Sequence, residues 1–393
     1  MRHLIIRNFG PLKEADVELG RFNLIIGFQS SGKSCVLKTA CFCAWVEKRI
    51  ELAQSADYFM KEGIFMRELS NYHKFDGYFK ADTFISYETS YMKFSYSHQA
   101  GFFEFQWKSS RWKYKRNKIS YIPSERSVVA AIPNWKTQVS TYDNILDFMN
   151  DWDKARQALD SKTPILNLGM SYRYDALSNK DMMVMDNGVE LSLSNSSSGV
   201  QSLVPLYVHL DYLNRGLYTE EANNASKRTS QEKIAYKALV SKLYNHFQKD
   251  LLITAPINKI TPVSIENSEF IFADRKSADA FSKAVADFSN THHCDIYLEE
   301  PEDNLFPPTQ CQLVDWLVEM ADSKKHPATF FIATHSPYVL TELLEREMKD
   351  FRFFFTYPVE DGSGNIVKTA SEEELQEIYD NGVDMFFNFE AYK

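Results

Sequence analysis

Residues 27–34 read GFQSSGKS and match G-x-x-x-x-G-K-[ST], the Walker A pattern of a phosphate-binding loop. The apolar, β-branched run before it (residues 22–26) predicts a buried strand, and residues 35–40 predict the start of a helix. A strand, a turn with glycine and a helix N-terminus together direct backbone N–H groups and a helix dipole towards an anion. Lys33 is then expected to reach the β- and γ-phosphates, and the Ser34 hydroxyl to bind Mg²⁺. The remaining phosphate-binding residues predicted in the loop are Gly27, Gln29, Ser30, Ser31 and Gly32.

The composition is that of a folded globular chain, with 44% hydrophobic and 25% charged residues among 393. The formal net charge of −9 excludes a global basic field for nucleic acid, although it permits a local basic patch. No apolar run approaches the roughly 20 residues of a membrane span, and the N-terminus leads into a predicted strand without a signal peptide. The five cysteines are odd in number and lie mostly in apolar segments. We therefore expect a cytoplasmic protein with reduced thiols and no membrane contact.

Hydrophobic periodicity predicts both strands and helices in the first third of the chain. Residues 1–26 predict strands around a turn signal, and helical spacing continues from the Walker loop to Ile50. From about residue 78 to 122, alternation of period two predicts an antiparallel meander. Its last strand is expected at residues 111–115.

The later segments are less regular. Residues 140–185 predict a helix pair with loops, and the polar stretch 219–232 predicts a mobile loop. Apolar residues at helical spacing follow between 234 and 251, without the sustained heptads of a coiled coil. Residues 330–334 predict another buried strand, and a terminal helix is expected to begin at Ser371.

Paired carboxylates end a second predicted strand, in the run IYLEEP at residues 296–301. This is the Walker B arrangement, in which one carboxylate holds Mg²⁺ and the next polarises the water that attacks the γ-phosphate. We assign Glu299 to the metal and Glu300 to the water. The metal-binding residue is usually Asp, so this chain carries one more methylene group at that position.

Two further stretches fit the same chemistry. His335 follows the strand at 330–334, where its imidazole is expected to sense the γ-phosphate and fix the attacking water. A Ser- and Gly-rich loop opens an apolar helix at Ser197, Ser198 and Gly199, which is another anion-binding geometry.

Taken together, these motifs resemble the head domains of ABC-type ATPases. Within that class, 101 residues separate Gly199 from Glu300, far more than in transporter subunits. The chain resembles ATPases of the OLD (overcoming lysogenisation defect) type, which include ATPase subunits of antiphage systems such as Septu and PARIS. The features that carry this resemblance are this spacing, the run EEPEDNLFP from Glu299, and residues 8–11 and 122–127. Two positions depart from the pattern: Phe306 stands where many relatives have His, and Phe28-Gln29 replaces the more common Pro-Asn or Pro-Gln.

The resemblance implies an α/β fold, a P-loop NTPase of ABC-ATPase head type with a mixed central sheet, an antiparallel β lobe and a helical insertion. It implies one domain over residues 1–393. An N-terminal lobe (1–135) holds Walker A and the meander, a helical lobe (140–290) holds the signature motif, and a C-terminal lobe (291–393) holds Walker B and the switch His.

The resemblance also implies ATP and Mg²⁺ as cofactors and a homo-oligomer, at least a dimer of heads. Ser197, Ser198 and Gly199 of one chain would close over the γ-phosphate held by the Walker loop of another. OLD nucleases carry a Toprim nuclease domain after the ATPase, and only 58 residues follow His335. We therefore expect a separate effector protein, such as a nuclease or toxin.

The most basic stretch is interleaved with aromatic residues and is a candidate contact for DNA, or else the solvated face of a hairpin. Its cations are Lys108, Arg111, Lys113, Lys115, Arg116 and Lys118. This stretch keeps a DNA-repair ATPase of the SMC-like kind open as an alternative. Glu299 in place of the usual Asp leaves a further alternative open, an ATP-dependent scaffold with little turnover. Glu125 and Arg126 follow a predicted strand and are expected either near the nucleotide, as Q-loop residues, or in a structural ion pair.

Overall fold

The computed structural model describes residues 2–132, 135, 143–159, 161–218, 229–248, 261–266, 268–346 and 348–381. The strands are β1 (Arg2–Phe9), β2 (Leu12–Leu19), β3 (Phe22–Gly27), β4 (Phe79–Glu88), β5 (Met92–Ser97), β6 (Phe102–Trp107), β7 (Asn117–Ile122), β8 (Thr163–Pro164), β9 (Met170–Asp175), β10 (Lys180–Met185), β11 (Glu190–Ser192), β12 (Thr261–Ile265), β13 (Ser268–Phe272), β14 (His293–Glu299), β15 (Ala328–Ala333), β16 (Phe351–Pro358) and β17 (Asn365–Thr369). The helices are α1 (Lys33–Ala53), α2 (Ile64–His73), α3 (Val128–Ala131), α4 (Asn144–Gln157), α5 (Ser198–Asp211), α6 (Ser230–Phe247), α7 (Arg275–Ser289), α8 (Pro307–Ala321), α9 (Pro337–Leu344) and α10 (Glu372–Asn381).

The central sheet has 11 strands in the order β6-β5-β4-β1-β2-β17-β16-β3-β15-β14-β7. Strands β16, β3, β15, β14 and β7 are parallel neighbours, whereas β1, β2, β4, β5 and β6 form an antiparallel region. The structure therefore confirms the predicted α/β fold with a mixed central sheet and an antiparallel β lobe. The carboxyl ends of parallel strands meet at one edge, which is where ligands bind in such sheets.

Both faces of the parallel region are buried, and neighbouring residues of β3 enter different cores. Leu24 packs in a cluster with α4, α5 and α8, whereas Ile25 packs with α1, α2 and the antiparallel strands. This division explains why the strand at 22–26 is apolar at nearly every position instead of alternating. The predicted helix after the Walker loop is confirmed by α1, and the predicted strand at 330–334 by β15.

The predicted meander is correct up to Trp107 and wrong beyond it. Residues Arg111–Lys113 form one 3₁₀ turn. The next strand, β7, pairs in parallel with β14 at the other end of the strand order. At residues 111–115, the alternation of charged and aromatic residues therefore reflects a turn whose aromatic rings pack inwards, not a strand.

The predicted helix pair over 140–185 is also wrong in its second half. Among the described residues of this range, only those of α4 are helical, and α4 is followed by a four-stranded sheet in the order β11-β10-β9-β8. Turns support that sheet, because Asn179 and Gly188 both adopt positive φ angles (52° and 85°) between its strands. The lobe predicted as helical thus contains a sheet, and a hairpin of β12 and β13 as well.

Some predictions fall on residues that the structure does not describe: the loop at 219–228, the helical pattern near 251, and the start of the helix pair before 143. The helical pattern from 234 is confirmed by α6, but α6 begins at Ser230, so residues 230–232 of the predicted loop are helical. The predicted terminal helix is confirmed by α10, which begins at Glu372. Within the described ranges, no helix combines the length and the apolar character needed to cross a bilayer.

Candidate nucleotide-binding site

The predicted phosphate-binding loop joins β3 to α1, as the sequence indicates. Gly27 has a φ of 155° and Gly32, just before the helix, a φ of 103°. A Cβ atom on Gly27 would stand 1.9 Å from Thr356 Oγ1, and one on Gly32 would stand 2.6 Å from Leu12 Cδ2. Only glycine fits at either place, so β16 and β2 support the loop from behind.

The loop presents a polar outer surface. Gln29, Ser30 and Ser34 are exposed, and Ser30 adopts a left-handed φ of 61°. Ser31 differs, because its side chain is buried and its hydroxyl is hydrogen-bonded to the Thr356 hydroxyl. Of the predicted loop residues, Ser31 is therefore the one whose side chain faces the sheet.

Lys33 lies folded into its own loop. Its Nζ donates to the carbonyl oxygens of Gly27 (3.0 Å) and Phe28 (2.9 Å). Burial lowers the pKa of Lys33 to about 8, while the carboxylates of Glu300 and Glu302 act in the opposite direction. The ammonium group thus stands where a phosphate would attract it, close to the carboxylates predicted to act with it.

Glu299 is the last residue of β14. In the sheet, β15 lies between β14 and β3. Its side chain is buried, Lys38 Nζ lies 3.9 Å from its Oε1, and that oxygen accepts no hydrogen bond from the described residues. A buried carboxylate oxygen that accepts no hydrogen bond fits a cation. The helix that carries Lys38, α1, also carries the exposed Ser34 in its first turn.

The fit to Mg²⁺ depends on few protein ligands. The described residues contain no group of three or more His, Cys, Asp or Glu side chains that could hold a metal ion by themselves. Mg²⁺ is usually held by one or two carboxylates together with substrate phosphates and water. The chemistry of Glu299 and Ser34 fits such a site.

Glu300 and His335 come together at the same edge of the sheet. His335 Nε2 lies 3.6 Å from Glu300 Oε1. Burial, reinforced by Glu302 and Glu299, raises the pKa of Glu300, whereas burial and the charge of Lys33 lower the pKa of His335. The pair is therefore a carboxylate of increased basicity beside a neutral imidazole.

Glu302 is a site residue that the sequence analysis missed. Its Oε1 accepts the His335 backbone N–H at 2.7 Å, and its Oε2 is shielded from solvent without a hydrogen bond from the described residues. Burial raises the pKa of Glu302. The sequence carries a signal for it, since Glu302 is the third carboxylate of the run EEPE at residues 299–302.

The signature residues lie at the start of α5. Ser197 caps the helix by accepting the Val200 N–H, and Ser197 and Ser198 are exposed. Gly199 packs against the chain just after Walker B, where an added Cβ would stand 2.8 Å from the Asn304 carbonyl oxygen. The structure thus leaves the two serines facing outwards, as a role in another chain's site requires.

Arg126 lies beside the candidate site, and it forms no ion pair with a described residue. It is fully buried, and its partners among the described residues are backbone carbonyl groups, including those of Glu299 and Glu300. Its neighbour Glu125 lies in a 3₁₀ turn that follows β7.

The predicted DNA-binding stretch is divided between different parts of the fold. Four of its six cations bind within the chain: Lys108 to Glu88, Arg111 to Gln54, Arg116 to the Ser289 carbonyl group, and Lys118 to Asp151. Lys108 follows β6 and Lys118 lies in β7, at opposite ends of the strand order. Lys113 and Lys115 are exposed.

No protein-family model and no curated protein matches this sequence. Among solved structures, the SMC head domain from Thermotoga maritima is 11% identical with a TM-score of 0.41, covering 94% of this chain and 100% of that one. The recombination mediator protein RecF of the RecFOR pathway is 12% identical with a TM-score of 0.30, covering 94% and 97%. The ADP conformation of MJ1267, an ATP-binding cassette of an ABC transporter, is 10% identical with a TM-score of 0.37, covering 98% and 99%. At TM-scores below 0.5, this likeness assigns neither a family nor an activity to the chain.

Proposed function

We propose that this chain is an ATPase switch, which binds ATP and Mg²⁺, closes as a dimer and hydrolyses ATP to ADP and phosphate. One observation carries the proposal: Lys33, Ser34, Glu299, Glu300 and His335 meet at the carboxyl edge of adjacent parallel strands. These residues come from three segments that are far apart in sequence, and each has the chemistry that phosphoryl transfer needs.

The geometry supports the following roles. Lys33 leaves the loop carbonyl groups and binds the β- and γ-phosphates. Ser34 and Glu299 would hold Mg²⁺, which would neutralise phosphate charge. Glu300 accepts a proton from the attacking water as the water oxygen bonds to the γ-phosphorus and the bond from that phosphorus to the bridging oxygen breaks. Neutral His335 hydrogen-bonds the water or the γ-phosphate and orients the attack.

A second copy of the chain would complete the site. Ser197, Ser198 and Gly199 begin a helix that presents exposed hydroxyl and backbone N–H groups, a geometry suited to phosphate. Apolar side chains next to the catalytic motifs are also exposed: Phe28 by 44%, Phe306 by 75% and Tyr338 by 43%. Exposed apolar residues around a polar site are typical of a surface that another protein covers.

The biological role is the less direct part of the proposal. The resemblance of the motifs to OLD-type ATPases favours control of a separate effector, a nuclease or toxin, in antiphage defence. Fold-level analogy alone does not fix function, so the nature of the adjacent reading frame is the relevant observation. A nuclease or toxin gene there would support this role, and repair genes would support a DNA-directed one.

The exposed Lys113 and Lys115 favour one alternative, an SMC-like ATPase that binds DNA. A scaffold that binds ATP with little turnover differs from both, because it needs Lys33 but not Glu300. Phosphate release with and without double-stranded DNA separates the three, using Lys33→Ala and Glu300→Gln as matched variants. The switch predicts turnover that both substitutions abolish and DNA does not change, and a wild-type rate equal to that of Lys33→Ala would refute it.

A further inference from the structure

We propose that Arg126 is a positioning residue that joins the Walker B turn to the signature helix α5. Through this link, the state of one nucleotide site would set the position of the signature loop that closes the other site. The inference rests on the proposed function and deepens it, because it names the residue that couples the two sites.

The guanidinium group of Arg126 is completely buried and holds three chain segments at once. Its donors reach the carbonyl oxygens of Pro123 (3.3 Å), Ser202 (3.2 Å), Glu299 (2.9 Å), Glu300 (2.8 Å) and Pro301 (3.4 Å). Arginine has five N–H donors in a rigid planar fork, whereas lysine has three on one rotating ammonium group. Lysine cannot therefore hold the same three segments together.

The segment that Arg126 binds is the one that carries the chemistry. Glu300 adopts a left-handed φ of 43°, and Arg126 bonds the carbonyl oxygens on both sides of that residue's Cα, those of Glu299 and Glu300. A non-glycine residue in this conformation persists only where the surroundings hold it. Arg126 is in the right place to hold it and so to direct the Glu300 side chain towards His335.

The other segment, at the start of α5, is tied to the same turn by two further contacts. Ser202 Oγ donates to Asp303 Oδ2 at 3.3 Å, and Gly199 approaches Asn304 so closely that an added Cβ would lie 2.8 Å from its carbonyl oxygen. Gln201 extends the link into the signature loop, because its side-chain amide donates to the Ser194 and Ser196 carbonyl groups. A continuous series of hydrogen bonds and close contacts thus joins the Walker B turn, through Arg126, to the signature loop.

This connection has a consequence for the dimer. The signature loop of one chain is expected to contact the γ-phosphate held by the other, so a change at Glu300 on one chain moves a ligand of the second site. Hydrolysis should therefore be cooperative in ATP, and the cooperativity should depend on Arg126.

The test compares Arg126→Lys with Arg156→Lys. Arg156 is also buried, at 3% exposure, but its partners are Asp153 and Asp181 in the lobe of the four-stranded sheet. ATP affinity is measured by isothermal titration calorimetry, and kcat and the Hill coefficient by phosphate release. Arg126→Lys should keep ATP affinity, because the Walker loop is untouched. It should lower kcat at least about tenfold, because Glu300 is misplaced, and it should bring the Hill coefficient to one. Arg156→Lys should change neither kcat nor the Hill coefficient.

Asp303→Ala provides a second variant if Arg126→Lys does not fold by circular dichroism. It removes the carboxylate that accepts from Ser202 and from the neighbouring Asn304, and it leaves the Arg126 hydrogen bonds in place. It is expected to lower the Hill coefficient while ATP affinity stays the same. A wild-type Hill coefficient of one, or wild-type kcat and cooperativity in the folded variant, would overturn the inference while leaving the ATPase proposal intact. A wild-type chain that releases no phosphate would instead refute the proposed function itself.

Discussion

Replacing Glu302 by alanine removes the acceptor that holds the His335 backbone N–H. That hydrogen bond is 2.7 Å long and its acceptor is a carboxylate, a class of bond that contributes about 2 kcal/mol. If the whole contribution holds His335 in its catalytic position, its loss lowers kcat roughly 30-fold, since 1.36 kcal/mol corresponds to tenfold. Glu302→Gln keeps a neutral acceptor and should lose only about 1 kcal/mol, or roughly fivefold in kcat.

The pH dependence gives a second readout of the same substitution. Glu302 is one of the carboxylates that raise the pKa of Glu300. Because Glu300 must be deprotonated to act as a base, activity rises with pH through its pKa. Glu302→Gln lowers that pKa and should therefore move the acidic limb of the kcat profile to lower pH.

Glu47→Ala is the matched control. Glu47 is a buried carboxylate that accepts a hydrogen bond from Thr89 at 2.6 Å. It lies 14 residues beyond Lys33 on α1, which is about 21 Å along the helix. Its loss should lower stability but not kcat. Equal kcat values for Glu302→Ala, Glu47→Ala and the wild type, with an unchanged pH profile, would refute the positioning of His335 by Glu302.

Three further outcomes are expected. Gly27→Ala should lower the free energy of unfolding in urea by about 3 kcal/mol, because the added Cβ would clash with the backbone oxygen of Thr356 at 2.5 Å and with the Thr356 hydroxyl. Gly63→Ala, with a φ of 69° and open space around it, should lower it by about 1 kcal/mol, and equal losses would contradict this. Burial lowers the pKa of Lys33 to about 8, and a bound phosphate should raise it, so ATP affinity should fall as pH rises above 8, with proton uptake on binding at pH 8.5 in calorimetry. Constant affinity from pH 7 to 9 would contradict this. Glu299→Gln should raise the Mg²⁺ concentration for half-maximal turnover roughly tenfold, and an unchanged Mg²⁺ dependence would place the metal ligand elsewhere.

The parts of the site that depend on local sequence could be predicted. The Walker loop needs only a strand, two glycines and a helix start within a few residues, so Lys33 and Ser34 were placed correctly on α1. The Walker B carboxylates follow directly from the buried strand β14, and His335 from β15. Apolar strands that end in polar residues identify their own carboxyl edge.

The parts that depend on distant segments could not. Thr356 lies behind Gly27 only because β16 pairs with β3 in parallel register, 329 residues further along the chain. Arg126 binds carbonyl groups of α5 and the Walker B turn, and no sequence pattern marks a backbone acceptor. Glu302 depends on the left-handed turn at Glu300, which brings the chain back towards His335.

The sheet within residues 163–192 shows a different limit. Its strands are short, and β9 reads MSYRYD, where Met, Tyr and Tyr alternate with polar residues. Both β9 and β10 are followed by turns with positive φ, at Asn179 and Gly188. Strand alternation over six residues with such turns is a hairpin signal, and helical spacing in the preceding segment obscured it.

The most direct test of the switch is the molar mass of Glu300→Gln with ATP and Mg²⁺. It is measured by size-exclusion chromatography with multi-angle light scattering. This substitution removes the base but keeps Lys33, Ser34 and the signature serines, so ATP should bind without turnover and hold two chains together. The account predicts a mass of twice the 45.6 kDa of one chain, lost when Lys33→Ala is added. A variant that binds ATP in calorimetry and yet has the same mass with and without the nucleotide would contradict it.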